Sequence, residues 1–219
     1  MEQYKKNKIM PNHVANIVTL TGSEESIRNL VEFVRSDEQI FDFNKIIPMP
    51  ETFEKYDTTN HADGRQMTVG KPLNWSGGPA VTEELIEEYK RATKEQMDKY
   101  GVVGWYDWRR KYWGTKWNAY DIEFNGRDEF TFNTAWCAPE PVIRALSKMF
   151  PAVLIRFVYA DEDWGNNCGE GVLKAGRGGI YCPDGGSDDA MQLYFETHPY
   201  EEEFFEKDEN GEWMYKDED

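Results

Sequence analysis

The chain is poor in the residues on which catalysis and cross-linking most often rest. Of its 219 residues only three are histidine and three cysteine. His13, His61 and His198 are scattered, and none lies in a nucleophile or zinc motif, so no catalytic residue and no metal ligand set is expected. Cys137, Cys168 and Cys182 are an odd number in a long chain, which argues against a disulfide framework and for reduced thiols in a cytoplasm. Cys137, between Trp136 and Ala138, reads as a small buried hydrophobe. Long apolar runs are also missing. The best, residues 152–160, is interrupted by Arg156 and falls short of the ~18 residues that span a bilayer. No apolar stretch follows Lys5, Lys6 and Lys8, so a secretory leader and a membrane partner are not expected. Positive charge is scarce, with 25 basic against 41 acidic residues and a net charge of −16. A polyanion is repelled by such a protein unless its few cations cluster, so direct nucleic-acid binding is disfavoured.

Rings are abundant: aromatics make up 15% of the residues and hydrophobics 39%. That composition excludes a fully disordered chain, because there is enough apolar surface to bury. Residues 1–9 are a polar extension before Met10, an alternative start. Residues 14–21 are β-branched and end at Gly22, which predicts a strand. Ser23 then caps a helix whose Ile27, Leu30, Val31 and Val34 share one face. Residues 41–47 alternate and stop at Pro48, as an extended segment would, and residues 51–81 read as loop. Thr82 opens a second helix with Leu85, Tyr89, Ala92, Met97 and Tyr100 as its stripe, and a short aromatic helix covers 105–113. Tyr120, Ile122 and Phe124, then Asn125-Gly126, then Phe130, Phe132 and Thr134 predict a hairpin. Pro139 and Pro141 open a further helix, and 153–159 reads as a strand. Glycines crowd 165–187, as in a long loop or twisted ribbon, and 191–197 alternates like a last strand.

This order suits a split βαββαβ unit of the α+β class. The expected fold is ferredoxin-like: an antiparallel sheet with helices on one face, spanning residues 10–199. A helical, aromatic-rich insertion at about 51–117 and the glycine-rich ribbon enlarge it. Residues 200–219 form an acidic tail that also contains rings.

Four segments carry a resemblance: Met10-Pro-Asn-His-Val-Ala-Asn through Gly22, Phe41-Asp-Phe-Asn-Lys-Ile-Ile-Pro-Met-Pro, Trp113-Gly-Thr-Lys-Trp-Asn-Ala-Tyr-Asp, and Phe132-Asn-Thr-Ala-Trp-Cys-Ala-Pro-Glu-Pro-Val-Ile. Together they resemble the YubB-like family of phage, plasmid and pathogenicity-island proteins. The resemblance covers most of residues 10–160. It implies a ferredoxin-like domain and a mobile-element origin, and it brings no catalytic residue with it. At His13 the chain departs from the pattern, which often has Trp there.

Seven rings lie between residues 105 and 120, with Arg109, Arg110, Lys111 and Lys116 among them. Trp105, Trp108 and Tyr112 on one helical stripe suit a core between insertion and sheet. Trp105, Trp108, Arg109 and Trp113, with Thr115, Lys116, Trp117 and Asn118 at the following corner, also suit a protein hot spot or a stacking site for a ligand. Asp161, Glu162, Asp163, Asn166, Asn167 and Glu170 offer oxygen ligands but depart from the EF-hand order, and read as a solvated acidic turn. The tail from Glu201 carries ten acids against Lys207 and Lys216, half of the net charge. Phe204, Phe205, Trp213 and Tyr215 give it a second character, since a purely solvating tail has no use for four rings.

These features favour binding over catalysis. The expected activity is that of a phage or mobile-element accessory protein that binds a host or phage protein with a basic surface, interfering with a host defence or nucleic-acid enzyme. The alternatives are a small nucleotide-binding or hydrolytic enzyme and an RNA-binding ferredoxin-like module. No cofactor is expected.

Overall fold

A computed structural model describes residues 12–55 and 82–216. The polar extension 1–9 and most of the expected loop, residues 56–81, lie outside the described residues. β1 (His13–Thr21) alternates strictly, with Val14, Val18 and Leu20 buried. Ser23 caps α1 (Glu24–Val34), its Oγ accepting from the Ser26 amide at 3.2 Å. Residues 43–46 form a helical turn, α2 (Phe43–Ile46), where the sequence suggested an extended segment. Asp42 is the cause: its Oδ1 accepts from the Asn44 amide at 2.9 Å, so the chain turns between two rings that both enter the core. The start of the expected loop is likewise helical in α3 (Glu51–Lys55), which follows Pro50 and buries Phe53.

α4 (Glu83–Tyr100) buries Tyr89, Ala92 and Gln96, while Met97 of the expected stripe is half exposed. Gln96 takes the inner position because its amide joins two elements. Nε2 donates to Thr52 O at 2.8 Å, and Oε1 accepts from the Gly104 amide at 3.2 Å, at the start of α5 (Gly104–Tyr112). Then come β2 (Tyr120–Phe124), β3 (Glu129–Ala135), α6 (Glu140–Met149) and β4 (Leu154–Asp161). The β2–β3 turn is wider than two residues; Asn125 Oδ1 gathers the amides of Arg127, Asp128 and Glu129. The glycine-rich stretch is a hairpin, β5 (Gly169–Lys174) and β6 (Ile180–Tyr181). A Cβ at Gly171 would lie 2.4 Å from Gly179 O, so close approach of the two strands demands glycine there.

The sheet order is β2-β3-β1-β4-β5-β6, with every neighbouring pair antiparallel. Its first four strands have the arrangement of a βαββαβ split unit, and β5 and β6 widen it beyond β4. On one face Val18, Leu20, Phe130, Phe132, Ile155 and Phe157 meet Leu30 and Val34 of α1 and Val142, Ile143 and Leu146 of α6. Phe41 stacks on Phe132 with ring centres 5.0 Å apart. Each such side chain contributes roughly 1.5–3 kcal/mol by leaving water.

The expected last strand at 191–197 is instead a helix, α7 (Asp188–Thr197), capped by Ser187 Oγ on the Ala190 amide at 3.2 Å. It lies on the opposite face of the sheet, over Ile17, Val158 and Ala160. Met191, Leu193, Tyr194 and Phe195 are all buried because the helix is covered on two sides, by the sheet and by the tail. Burial on two sides blurs the helical period and leaves the alternation that imitates a strand. Two short strands, β7 (Phe205–Lys207) and β8 (Trp213–Tyr215), close the described chain as a hairpin. Among the described residues no helix is long and apolar enough to cross a membrane.

Candidate binding surfaces

The corner after α5 is built around Gly114. The Arg109 carbonyl accepts from the amides of Trp113 at 2.7 Å and Gly114 at 3.1 Å, and Gly114 turns the chain with φ +84°. A Cβ there would meet Pro141 Cδ at 2.8 Å and Ala138 O at 2.9 Å. Trp113 is fully buried, its Nε1 donating to Ile47 O at 2.9 Å. Trp108 is buried beside it, stacked on Tyr112 at 4.9 Å. Thr115, also buried, donates to Ala135 O at 2.9 Å. Asn118 bridges to the cap of α2: Nδ2 donates to Asp42 Oδ1 at 2.8 Å, and Oδ1 accepts from the Phe43 amide at 2.9 Å. Trp108, Trp113, Thr115 and Asn118 therefore hold insertion, α2 and sheet together. Asn118→Ala is expected to cost about 2 kcal/mol, since it removes bonds to a carboxylate and to a helix amide together. Urea unfolding checks the value.

Arg109 is held between the rings of Trp105 and Trp113, at 5.1 and 4.8 Å from its guanidinium carbon. Burial lowers its pKa, and the charge of Glu54 opposes that shift. The solvent-facing remainder of the cluster is a different set. Tyr106, Arg110, Lys116, Trp136 and Cys137 line a groove of about 230 Å³. Arg110 and Lys116 lie over Tyr106 at 5.6 and 5.9 Å, and Lys116 also covers Trp117 at 4.9 Å. Trp136, at the β3–α6 turn, is 44% exposed with φ +70°. Its amide donates to Asn12 O and its carbonyl accepts from Asn167 Nδ2, each at 3.0 Å, so its backbone is pinned on both sides. Cys137 is exposed rather than buried, because the chain turns outward there before Pro139. The sequence singles out Lys116 and Trp117 and counts Arg110 among the interleaved cations, but it does not bring Trp136 to the site. Trp136 is near only through the pairing of β3 with β1 and β2, which spacing does not reveal.

The oxygen-rich turn after β4 is internally satisfied at its first member. Asp161 is buried and accepts from Asn12 Nδ2, the Asp163 amide and Asn167 Nδ2.

The tail forms the second surface. Phe205 is only 4% exposed, and its ring centre lies 5.3 Å from Trp164, 5.5 Å from Phe195 and 4.3 Å from Tyr215. Trp213 packs against Phe195 and donates from Nε1 to Asp188 at 3.0 Å. Lys207 also bonds Asp188, and these two bonds hold the Asp188 carboxyl below its ordinary pKa, the lysine contributing most. Burial, then the bond to Glu201, pushes Tyr194 well above the usual phenol range. Phe204 and Tyr215 are each about half exposed. Glu202, Glu203, Glu206, Glu209 and Glu212 face solvent, and none makes an ion pair among the described residues. The result is an acidic ridge anchored by Phe205 and Trp213.

Residues 112–207 match the model of a family described as the ferredoxin-like domain in Api92-like protein. The fold is ferredoxin-like. The matched stretch runs from the end of α5 to β7, and so holds Trp136, Lys116 and Phe205 but not Tyr106 or Arg110. The crystal structure of protein api92 from Yersinia pseudotuberculosis aligns with a TM-score of 0.39 and 10% identity, over 79% of this chain and 99% of that chain. No curated protein matches the chain.

Proposed function

We propose that the protein is a mobile-element accessory protein that works by binding, with the acidic ridge as its contact surface. The partner is a host or phage protein with a basic groove, of the kind that nucleic-acid enzymes of host defence present. One observation carries this reading: five glutamates with no ion pair among the described residues face solvent on the β7–β8 hairpin and the turn before it, which Phe205 anchors against α7. Charge fixed in place before encounter steers a basic partner and loses less entropy on docking than a mobile tail does. The YubB-like resemblance supports the mobile-element context.

RNA binding on the open sheet finds less support. The uncovered part of β1–β3 presents Ala15, Thr19, Glu123, Glu129, Thr131 and Asn133 along its length. Its rings, His13 and Tyr120, are hydrogen-bonded to each other at one end, so among the described residues no ring lies along the middle of this face. Base stacking on a ferredoxin-like sheet requires rings.

The test is capture from host lysate with the wild type and with a variant carrying Glu→Gln at 202, 203, 206, 209 and 212. The wild type is expected to retain a specific partner at about 0.1 M salt and to release it near 1 M, where the screening length falls to ~3 Å. The variant is expected to lose that partner at both salts without a fall in melting temperature. Equal capture by wild type and variant, or no specific partner at low salt, would sink the reading.

A further inference from the structure

We propose that the groove between α5 and the β3–α6 turn is a binding site for a mononucleotide, with the base against Trp136 and the phosphate between Arg110 and Lys116. The site is separate from the acidic ridge and does not depend on its role.

The first argument is charge. Arg110 and Lys116 flank one tyrosine ring, and neither has a carboxylate partner among the described residues. In a chain of net charge −16, two neighbouring cations left without acids stand out. Together they match the roughly −2 charge of a terminal phosphate, and the guanidinium fork suits phosphate oxygens.

The second is the position of Trp136. A non-glycine residue in the left-handed region is strained, and strain of this kind persists only where neighbours over-determine it. Both backbone polar groups of Trp136 are tied, to Asn12 and to Asn167, yet the residue remains 44% exposed on the groove wall. Core packing therefore does not account for the ring, whereas a flat partner would use its exposed face.

Size and overall charge select among anions. A groove of about 230 Å³ is smaller than the ~300–1,000 Å³ common for drug-sized ligands and suits a single base and its phosphate, with the sugar facing outward. A longer strand would bring many phosphates against an acidic body with only two local cations to offset them. A mononucleotide brings one.

Isothermal titration tests this on the full chain with the four ribonucleoside 5′-monophosphates, adenosine alone, inorganic phosphate alone and a ten-nucleotide single strand. At least one monophosphate is expected to bind saturably, with adenosine and phosphate each at least about tenfold weaker. The double variant Arg110→Gln/Lys116→Gln is expected to abolish binding. Trp136→Gly is expected to weaken it about tenfold with an unchanged melting temperature, because glycine accepts φ +70° without strain. Saturating nucleotide is also expected to slow alkylation of Cys137, which lines the groove, but not of Cys182, which is exposed after the edge strand β6 and does not line it. No saturable heat with any monophosphate would overturn the proposal, as would affinity unchanged in either variant or tighter binding of the single strand.

Discussion

Trp113→Ala is expected to destabilise the protein by about 3–5 kcal/mol, the usual cost of emptying a large aromatic site in a core. For a chain of this size that lowers the melting temperature by roughly 6–20 °C. Three losses act together. The side chain is fully buried and meets Phe43 and Trp108 edge to face, with ring centres 5.7 and 5.8 Å away, so its removal opens the junction of α2, α5 and the sheet. The Ile47 carbonyl loses its indole donor. Arg109 loses one of the two rings that enclose it, and its buried Nε has no hydrogen-bond partner among the described residues. Trp113→Phe separates these contributions. It keeps most of the packing and the ring face under Arg109 but drops the N–H, and is expected to cost no more than about half as much. Urea unfolding followed by circular dichroism measures both. A loss of only a degree or two for Trp113→Ala would show that the insertion is held to the sheet by other contacts.

The sequence is most legible where one face of an element is buried and its ends are marked. β1, α1, the β2–β3 hairpin and α6 meet that condition. Ser23 sits at the N-cap that its side chain suggests, and Leu30 and Val34 point inward as their spacing requires. The errors arise where an element is buried on more than one side, or where a cap overrides alternation. α7 is covered by both sheet and tail, so its apolar residues show no single stripe. At 41–47 the alternation of Phe41 and Phe43 is real, but Asp42 between them caps a helical turn that begins at Phe43. In the ring cluster at 105–120 the stripe of Trp105, Trp108 and Tyr112 reads as core and packs as core, whereas the division of the remaining rings between core and surface is not legible in the sequence. That division depends on which rings meet Phe43 and Phe53 across the chain, and on a tryptophan delivered from the β3–α6 turn. Similarly, the four rings of the tail signalled that it is more than a solvating end, but not that one of them, Phe205, anchors it.

Phe205→Ala is expected to free the β7–β8 hairpin from α7 and to abolish partner binding while leaving every glutamate in place. Phe205 lies among Trp164, Tyr194, Phe195 and Tyr215, and its truncation costs about 3–5 kcal/mol of the local free energy that fixes the hairpin. A three-residue pairing of two strands has little stability of its own, so the hairpin is expected to detach as a unit before the sheet unfolds. Amide exchange at residues 205–215 would then be fast, while exchange in β1, β3 and β4 stays slow. The comparison with the five-glutamine variant is informative because the two changes divide charge from order. The glutamine variant removes charge from a hairpin that stays docked; the alanine variant keeps the charge on one that does not. If both lose the partner, recognition needs acids held in a fixed array, as the proposed steering and docking require. If only the glutamine variant loses it, the acids act as a mobile polyanion, and the buried rings serve stability alone. Full binding by a Phe205→Ala protein with fast hairpin exchange would therefore remove the ordered ridge from the mechanism.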